Sequence, residues 1–300
     1  MRSRALAAVL LLTAGLVGCA TTEDDAPAVP AGTVRVASYD FPENQILAEL
    51  YAEGLRRAGL EVAVQHGVGT REVVLPALEQ GVVDVVVEYL GTAGEFFRPD
   101  ADTARRGVDD LHADLAQILA PRGLTVLAAA AAEDQNGFVV LARFAAEQGI
   151  SRLSDLTALA PDLTFGGPPE CADRQHCLVG LRAVYGLEFG AVLSMPSRAA
   201  TVDTLLAGGI DVGLLETTDP HLTDRSLLLL EDDRGLQPHE NVVPIVATDV
   251  LRAAGDELAA TVDGVSARLT TADLVELNRV VALDGRTPAE AAAQWWEAAG

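Results

Sequence analysis

Glu216 ends the apolar run "IDVGLLE" (210–216) and is followed at once by the turn "TTDP". A carboxylate at the end of a buried strand either leans into solvent at a cleft rim or is aimed into a site. With Asp219 and Glu240 it is a candidate for acid–base chemistry or for attracting a cation. The other reactive groups narrow that choice. His66, His112, His176, His221 and His239 lack metal-ligand spacing. "GGPPE" is not a G-x-S-x-G elbow, and no Walker or G-x-G-x-x-G loop follows a strand. With no nucleophile–base constellation, an enzyme has little support and no cofactor or metal is expected.

From residue 33 the chain alternates strand and helix. "TVRVASY" (33–39) alternates as a strand does, and in "FPENQILAELYAEGLRRAGL" Pro42 suits a first helical turn. Ile46, Leu47, Leu50, Tyr51 and Leu55 form one apolar stripe, and Gly59 is a stop. "EVAVQH" (61–66) predicts a second strand and "REVVLPALEQG" a helix. The Val run of "VVDVVVEYL" (82–90) is that of a strand covered on both faces. "VDDLHADLAQILAPRG" (108–123) predicts another helix. A second series starts near 137, with helices over "SRLSDLTALA" and "RAATVDTLLAGG" among strands over "GFVVLA", "LTFGG", "FGAVLSM", "IDVGLLE", "SLLLLED" and "NVVPIVAT"; the C-terminus is helical. Such alternation predicts an α/β chain in two halves with largely parallel sheets. Ligands bind open α/β sheets at the strands' C-terminal edges, where "YDFPENQ", "HGVGTRE", "EYLGT" and "ETTDP" fall.

Three hundred residues make two domains the default, and a 49% hydrophobic fraction excludes global disorder. Residues 1–18 read as a secretory signal, with Arg2 and Arg4 ahead of a short apolar run. "LVGC" also resembles a lipobox, which makes Cys19 the lipidated residue and 19–32 an acidic tether. All 21 basic residues are Arg, and the formal charge of −23 argues against nucleic acid or an anionic membrane surface as partner. Membrane contact is then expected only through the anchor. If Cys19 carries lipid, Cys171 and Cys177 remain as a pair in "PPECADRQHCLVG". Outside the cytoplasm a disulfide is the natural reading; a metal site would want more ligands, although His176 lies beside Cys177.

Six phrases, in order, resemble the substrate-binding proteins of bacterial osmoprotectant ABC importers, which take glycine betaine, choline, carnitine and related compounds. They are "VASYDFPENQILAELYAEGLRRAGLEV", "LEQGVVDVVVEYLGTA", "AEDQNGFVV", "FGGPPECADRQHCLVGLRAVYGLEF", "LLETTDPHL" and "LLEDDRGLQPHENVVPIV", and the resemblance as a whole runs from about residue 33 to 297. The resemblance implies an α/β, type II periplasmic-binding-protein-like clamp. Two mixed or parallel sheets, flanked by helices, would be joined by two hinge crossings. Lobe 1 would comprise 33–133 plus 238–300, and lobe 2 134–237. It further implies a lipoprotein on the outer face of the cell membrane that closes on a small cation or zwitterion and delivers it to an ABC permease. A solute-sensing lipoprotein without a permease, or a binder of a polyamine-like cation, would use the same clamp.

A quaternary ammonium has no N–H to donate, so aromatic faces must hold it, at roughly 0.5–2 kcal/mol each. By resemblance, Tyr89 of "EYLGT" matches a cage tyrosine, Thr92 a polar ligand contact, Asn44 a polar position beside Gln45, and Asn136 the interlobe loop. Tyr39 and Asp40 lie on the same lobe edge, Arg71 could meet an anionic group, and Thr217 belongs to the turn after Glu216. Plainer roles stand beside these: packing for Tyr39 and Tyr89, caps for Asn44 and Thr92, a turn for Asn136 and an exposed helix start for Arg71. Glu216 and Glu240 depart from the family, standing where relatives commonly place aromatics. If both point inward, they favour a cation without a carboxylate.

Overall fold

The computed structural model describes residue 30 and residues 32–298, except 100–102 and 105. The signal segment, Cys19 and nearly all of the 19–32 tether lie outside the described residues. The chain runs β1 (Val34–Tyr39), α1 (Pro42–Arg57), β2 (Val62–Gly69), α2 (Arg71–Glu79), β3 (Val85–Tyr89), α3 (Leu90–Phe97), α4 (Val108–Leu119) and β4 (Leu124–Val126). Next come β5 (Asn136–Leu141), α5 (Ala142–Gln148), β6 (Thr164–Gly167), α6 (Leu178–Gly180), β7 (Ala191–Ser194), α7 (Arg198–Leu206), β8 (Val212–Glu216) and β9 (Leu227–Leu229). Finally β10 (Val242–Ala247) is followed by α8 (Thr248–Ala254), α9 (Asp256–Ser266), α10 (Thr271–Ala282) and α11 (Pro288–Ala298).

Among the described residues the strands form two five-stranded sheets, ordered β2-β1-β3-β10-β4 and β7-β6-β8-β5-β9. The sheets are mixed rather than largely parallel, and connectivity is the reason. β1, β2 and β3 run parallel, as do β6, β7 and β8. β10 runs against β3 and β4, and β5 against β8 and β9. The chain enters each sheet from the other one, so the entering strand must begin where the parallel strands finish. Val242 opens β10 opposite Tyr89, and Asn136 opens β5 opposite Glu216. The two crossings also pair with each other: Val242 N–H donates to Ala132 O at 2.9 Å, and Asp134 N–H to Glu240 O at 3.2 Å.

Both faces of each sheet are covered, which explains the Val-rich strands. Val85, Val87 and Val242 pack with Ile46, Leu47, Leu50 and Tyr51 of α1 on one face of the first sheet. Val86, Val243 and Ile245 meet Leu75 and Leu115 on the other. The helix expected over "SRLSDLTALA" is instead a pair of short 3₁₀ turns at Leu153–Leu156 and Ala160–Asp162. Leu153 N–H is drawn to Glu231 O at 3.0 Å, and Asp155 accepts from the N–H groups of Ser151 and Arg152, so local side-chain bonds displace the helical ladder.

Asn44 holds the site edge together from within the scaffold. Its Oδ1 accepts Tyr39 N–H at 2.8 Å and its Nδ2 donates to Val87 O at 2.8 Å, so a fully buried side chain on α1 ties β1 to β3. The polar ligand contact expected of Asn44 is replaced by this bridge, since both ends of the amide are engaged. Asn44→Ala should strand a buried N–H and a carbonyl and lower the unfolding free energy by about 2–4 kcal/mol. A urea midpoint equal to that of the parent chain would return Asn44 to the ligand.

Candidate functional site

The C-terminal ends of β1 and β3 set two tyrosines on one edge, and a loop residue stands between them. Tyr39 and Phe41 have ring centroids 6.1 Å apart with planes at 12°, and Phe41 and Tyr89 are 6.1 Å apart at 32°. The tyrosines are buried, whereas Phe41, just ahead of α1, is 37% exposed. Beneath this row lies Glu88, fully buried. Arg71 reaches it with Nε and Nη2, each at 2.8 Å, and Tyr39 donates its hydroxyl to the same carboxylate. Arg71 also donates to Thr92 Oγ1 at 2.9 Å, and its guanidinium lies 5.7 Å from the Tyr39 ring centroid. Burial would lower the Arg71 pKa, but the charge of Glu88 outweighs it and the guanidinium is held charged.

Glu43 occupies the junction of the two sheets' edges. Tyr89 donates its hydroxyl to Oε1 at 2.7 Å. Thr218 Oγ1, in the turn after β8, donates to Oε2 at 2.6 Å, and Asn278 Nδ2 of α10 does so at 2.5 Å. Among the described residues, none of these partners is a cation. Asp134, in the first crossing, accepts Thr218 N–H at 3.1 Å and the Thr217 hydroxyl at 3.3 Å. Burial first, then the mutual repulsion of these carboxylates and Glu216, pushes Asp134 well above its usual range; Glu43 is also raised. Burial likewise keeps the Tyr39 and Tyr89 hydroxyls protonated.

The two glutamates singled out by the sequence are both engaged. Glu240 receives the N–H groups of Gly91 at 3.0 Å and Thr92 at 3.1 Å, the open donors at the start of α3. Gly91 permits this approach: a Cβ there would stand 2.5 Å from Pro238 Cβ. Glu216 is clamped by Arg198, whose Nε lies 2.7 and 2.6 Å from its two oxygens. Neither glutamate is left without a partner within the protein. Glu216 is charge-paired and Glu240 is a buried helix cap.

The remaining expected residues divide similarly. Thr92 joins Arg71 to Glu240. Arg71 meets an anionic group, but that group is the protein's own Glu88. Thr217 accepts Gln135 N–H at 2.9 Å and fixes the turn. Asn136 donates to His176 O at 3.2 Å, Gln45 lies beside Gly67, and Asp40 is exposed. Cys171 and Cys177 form a disulfide, with Cα atoms 5.3 Å apart. Its loop carries His176 across to α3, where Nε2 meets Glu95 at 2.9 Å and Thr103 Oγ1 at 3.2 Å, while Nδ1 meets Leu236 O at 3.0 Å. Both ring nitrogens face acceptors, a requirement that only the imidazolium satisfies fully. Sequence reasoning missed Phe41, Glu43, Asp134, His176, Thr218 and Asn278. Phe41 and Glu43 sit inside the recognised "YDFPEN" loop, whereas Asn278 lies 235 residues from its partner and carries no local signal.

Residues 32–298 match the family described as the substrate binding domain of an ABC-type glycine betaine transport system. The glycine-betaine-binding protein of Pseudomonas aeruginosa is 29% identical to this chain, over 98% of it and 93% of the relative. The glycine betaine-binding protein YehZ of Escherichia coli is 24% identical, over 91% and 93%. A crystal structure of a glycine betaine/carnitine/choline ABC transporter protein superimposes with a TM-score of 0.73 at 21% identity, covering 88% of this chain and 97% of the other. The fold is that of the type II periplasmic binding proteins.

Two groups at the cleft make stability depend on pH in the same direction. Burial raises Glu240 from 4.5 to about 7, so the fold favours its protonated form. That contribution is complete below about pH 4.5 and is lost as pH rises through 7, on the order of 3 kcal/mol in all. Burial would lower His176, but its hydrogen bond and charge pairing with Glu95 outweigh this and raise it. Its contribution is present below the unfolded value of about 6.5 and disappears above the folded one. Thermal melting should therefore show Tm falling from pH 5 to pH 8, with a flatter slope in Glu240→Gln and in His176→Asn. Slopes in both variants that match the parent chain would rule these groups out.

Proposed function

The chain belongs to the family of substrate-binding domains of ABC-type glycine betaine transport systems, and we propose that its cleft holds a small quaternary ammonium ion of the choline and betaine class. The observation that carries this reading is Glu43: a buried carboxylate under Tyr89, surrounded by neutral donors, on the edge where Tyr39, Phe41 and Tyr89 stand in a row. Aromatic faces hold a cation that cannot donate a hydrogen bond, and the carboxylates behind them supply the field. The two cleft arginines are already held, Arg71 by Glu88 and Arg198 by Glu216. A ligand carboxylate would meet Glu43 and Asp134 with neither arginine free to receive it. The preferred ligand is accordingly a cation without a carboxylate, choline-like rather than betaine-like.

In this reading residues 33–133 with 238–300 form one lobe and 134–237 the other. They hinge where the crossings pair and close on the ligand through contacts such as Thr218 with Glu43. Lipid on Cys19 and the 19–32 tether keep the protein at the outer face of the cell membrane, where it delivers its solute to an ABC permease.

Calorimetry of the mature chain should show choline binding more tightly than glycine betaine or carnitine. Tyr89→Ala should weaken choline by about tenfold or more. Glycine betaine bound at least as tightly as choline would remove the argument from the engaged arginines. In cell fractionation, Cys19→Ser is expected to move the protein from the membrane to the soluble fraction.

A further inference from the structure

Both tyrosines of the aromatic row donate their hydroxyls to buried glutamates: Tyr39 to Glu88 and Tyr89 to Glu43. The two pairs are not equivalent. Glu88 is neutralised by Arg71, and that guanidinium already lies over the Tyr39 ring. Glu43 has three neutral donors and, among the described residues, no cationic partner. No cation cancels its charge there, and while Oε2 accepts from both Thr218 and Asn278, Oε1 accepts from a single donor, the Tyr89 phenol.

A phenol that donates its O–H to a carboxylate is polarised toward phenolate, and electron density moves into the ring. The attraction of a ring face for a cation scales with that density. We propose that Glu43 is a positioning residue that acts through Tyr89: it accepts the Tyr89 hydroxyl, fixes the ring and makes its face a stronger receptor for an ammonium ion. Thr218 and Asn278 complete the arrangement. Their donors occupy Oε2 and leave Oε1 to Tyr89. Because Thr218 follows β8 of the second sheet, the electron-rich state of Tyr89 is coupled to the approach of the two sheets' edges.

This inference rests on the reading of Tyr89 as a ligand face, and the experiment separates the two. Choline affinity is measured by calorimetry for the parent chain, Tyr89→Ala, Tyr89→Phe, Glu43→Gln and the double variant Glu43→Gln/Tyr89→Phe, with melting curves to establish folding. Tyr89→Phe and Glu43→Gln are each expected to weaken choline by about three- to tenfold. In the Tyr89→Phe background, Glu43→Gln should cost no more, because its route to the ligand is gone. Choline's charge does not change with pH, so pH effects belong to the protein. Parent affinity should fall on acidification as Glu43 takes up a proton in the field of Asp134 and Glu216, and this fall should shrink in Glu43→Gln. Equal Glu43→Gln losses in both backgrounds would overturn the action through Tyr89 while leaving the aromatic site intact. Full affinity in Tyr89→Ala would instead overturn the site itself. If Glu43→Gln fails to fold, Tyr89→Phe binding as tightly as the parent overturns the proposal without it.

Discussion

The Arg71–Glu88 ion pair is the contact from which the geometry of the cleft follows. Glu88 is inaccessible to water, and a carboxylate there without a partner would be prohibitive. Arg71 supplies the charge from α2 through a two-pronged contact, and Tyr39 and the Tyr89 N–H complete the carboxylate's partners. One side chain of β3 thus fixes the end of β1, the start of α2 and the first turn of α3. Removing either charged member would leave the other buried and unpaired, so the aromatic row and the ion pair stand or fall together.

Around that pair the chain handles negative charge in three ways. Glu88 and Glu216 receive arginines, Glu240 receives the open N–H groups of a helix, and Glu43 and Asp134 receive neutral hydroxyl, amide and backbone donors. The last arrangement sets no cation against either carboxylate at the junction of the sheets. Neutral donors hold a carboxylate in place without cancelling its field. Position and potential are thereby set by different residues.

Much of this was legible in the sequence, because it depended on local pattern. The strand–helix alternation, the Val runs of buried strands and the loops at strand ends are properties of short windows, and "YDFPEN" and "EYLGT" do meet at one edge. The roles within those loops were not legible. Asn44, Gln45 and Glu43 are adjacent, and only the path of β3 beneath α1 decides that Asn44 bridges two strands while Glu43 reaches Tyr89 and the turn after β8. Glu216 and Glu240 stand out in the sequence, but their partners, Arg198 and the start of α3, come from elements 18 and 148–149 residues away. A carboxylate's freedom is a property of its neighbours in space. The helix expected over 151–160 failed for a related reason, since a bond to Glu231 outweighs local preference.

The bonds Glu43–Thr218, His176–Glu95 and Arg174–Glu72, which run between segments flanking the two sheets, are made entirely from protein groups. Side chains of the protein alone therefore hold the edges of the two sheets together. In general a ligand's apparent affinity scales with the fraction of molecules already in the form that binds it. Arg174–Glu72 is the most exposed of the three, so it can be altered without disturbing any ring of the aromatic row.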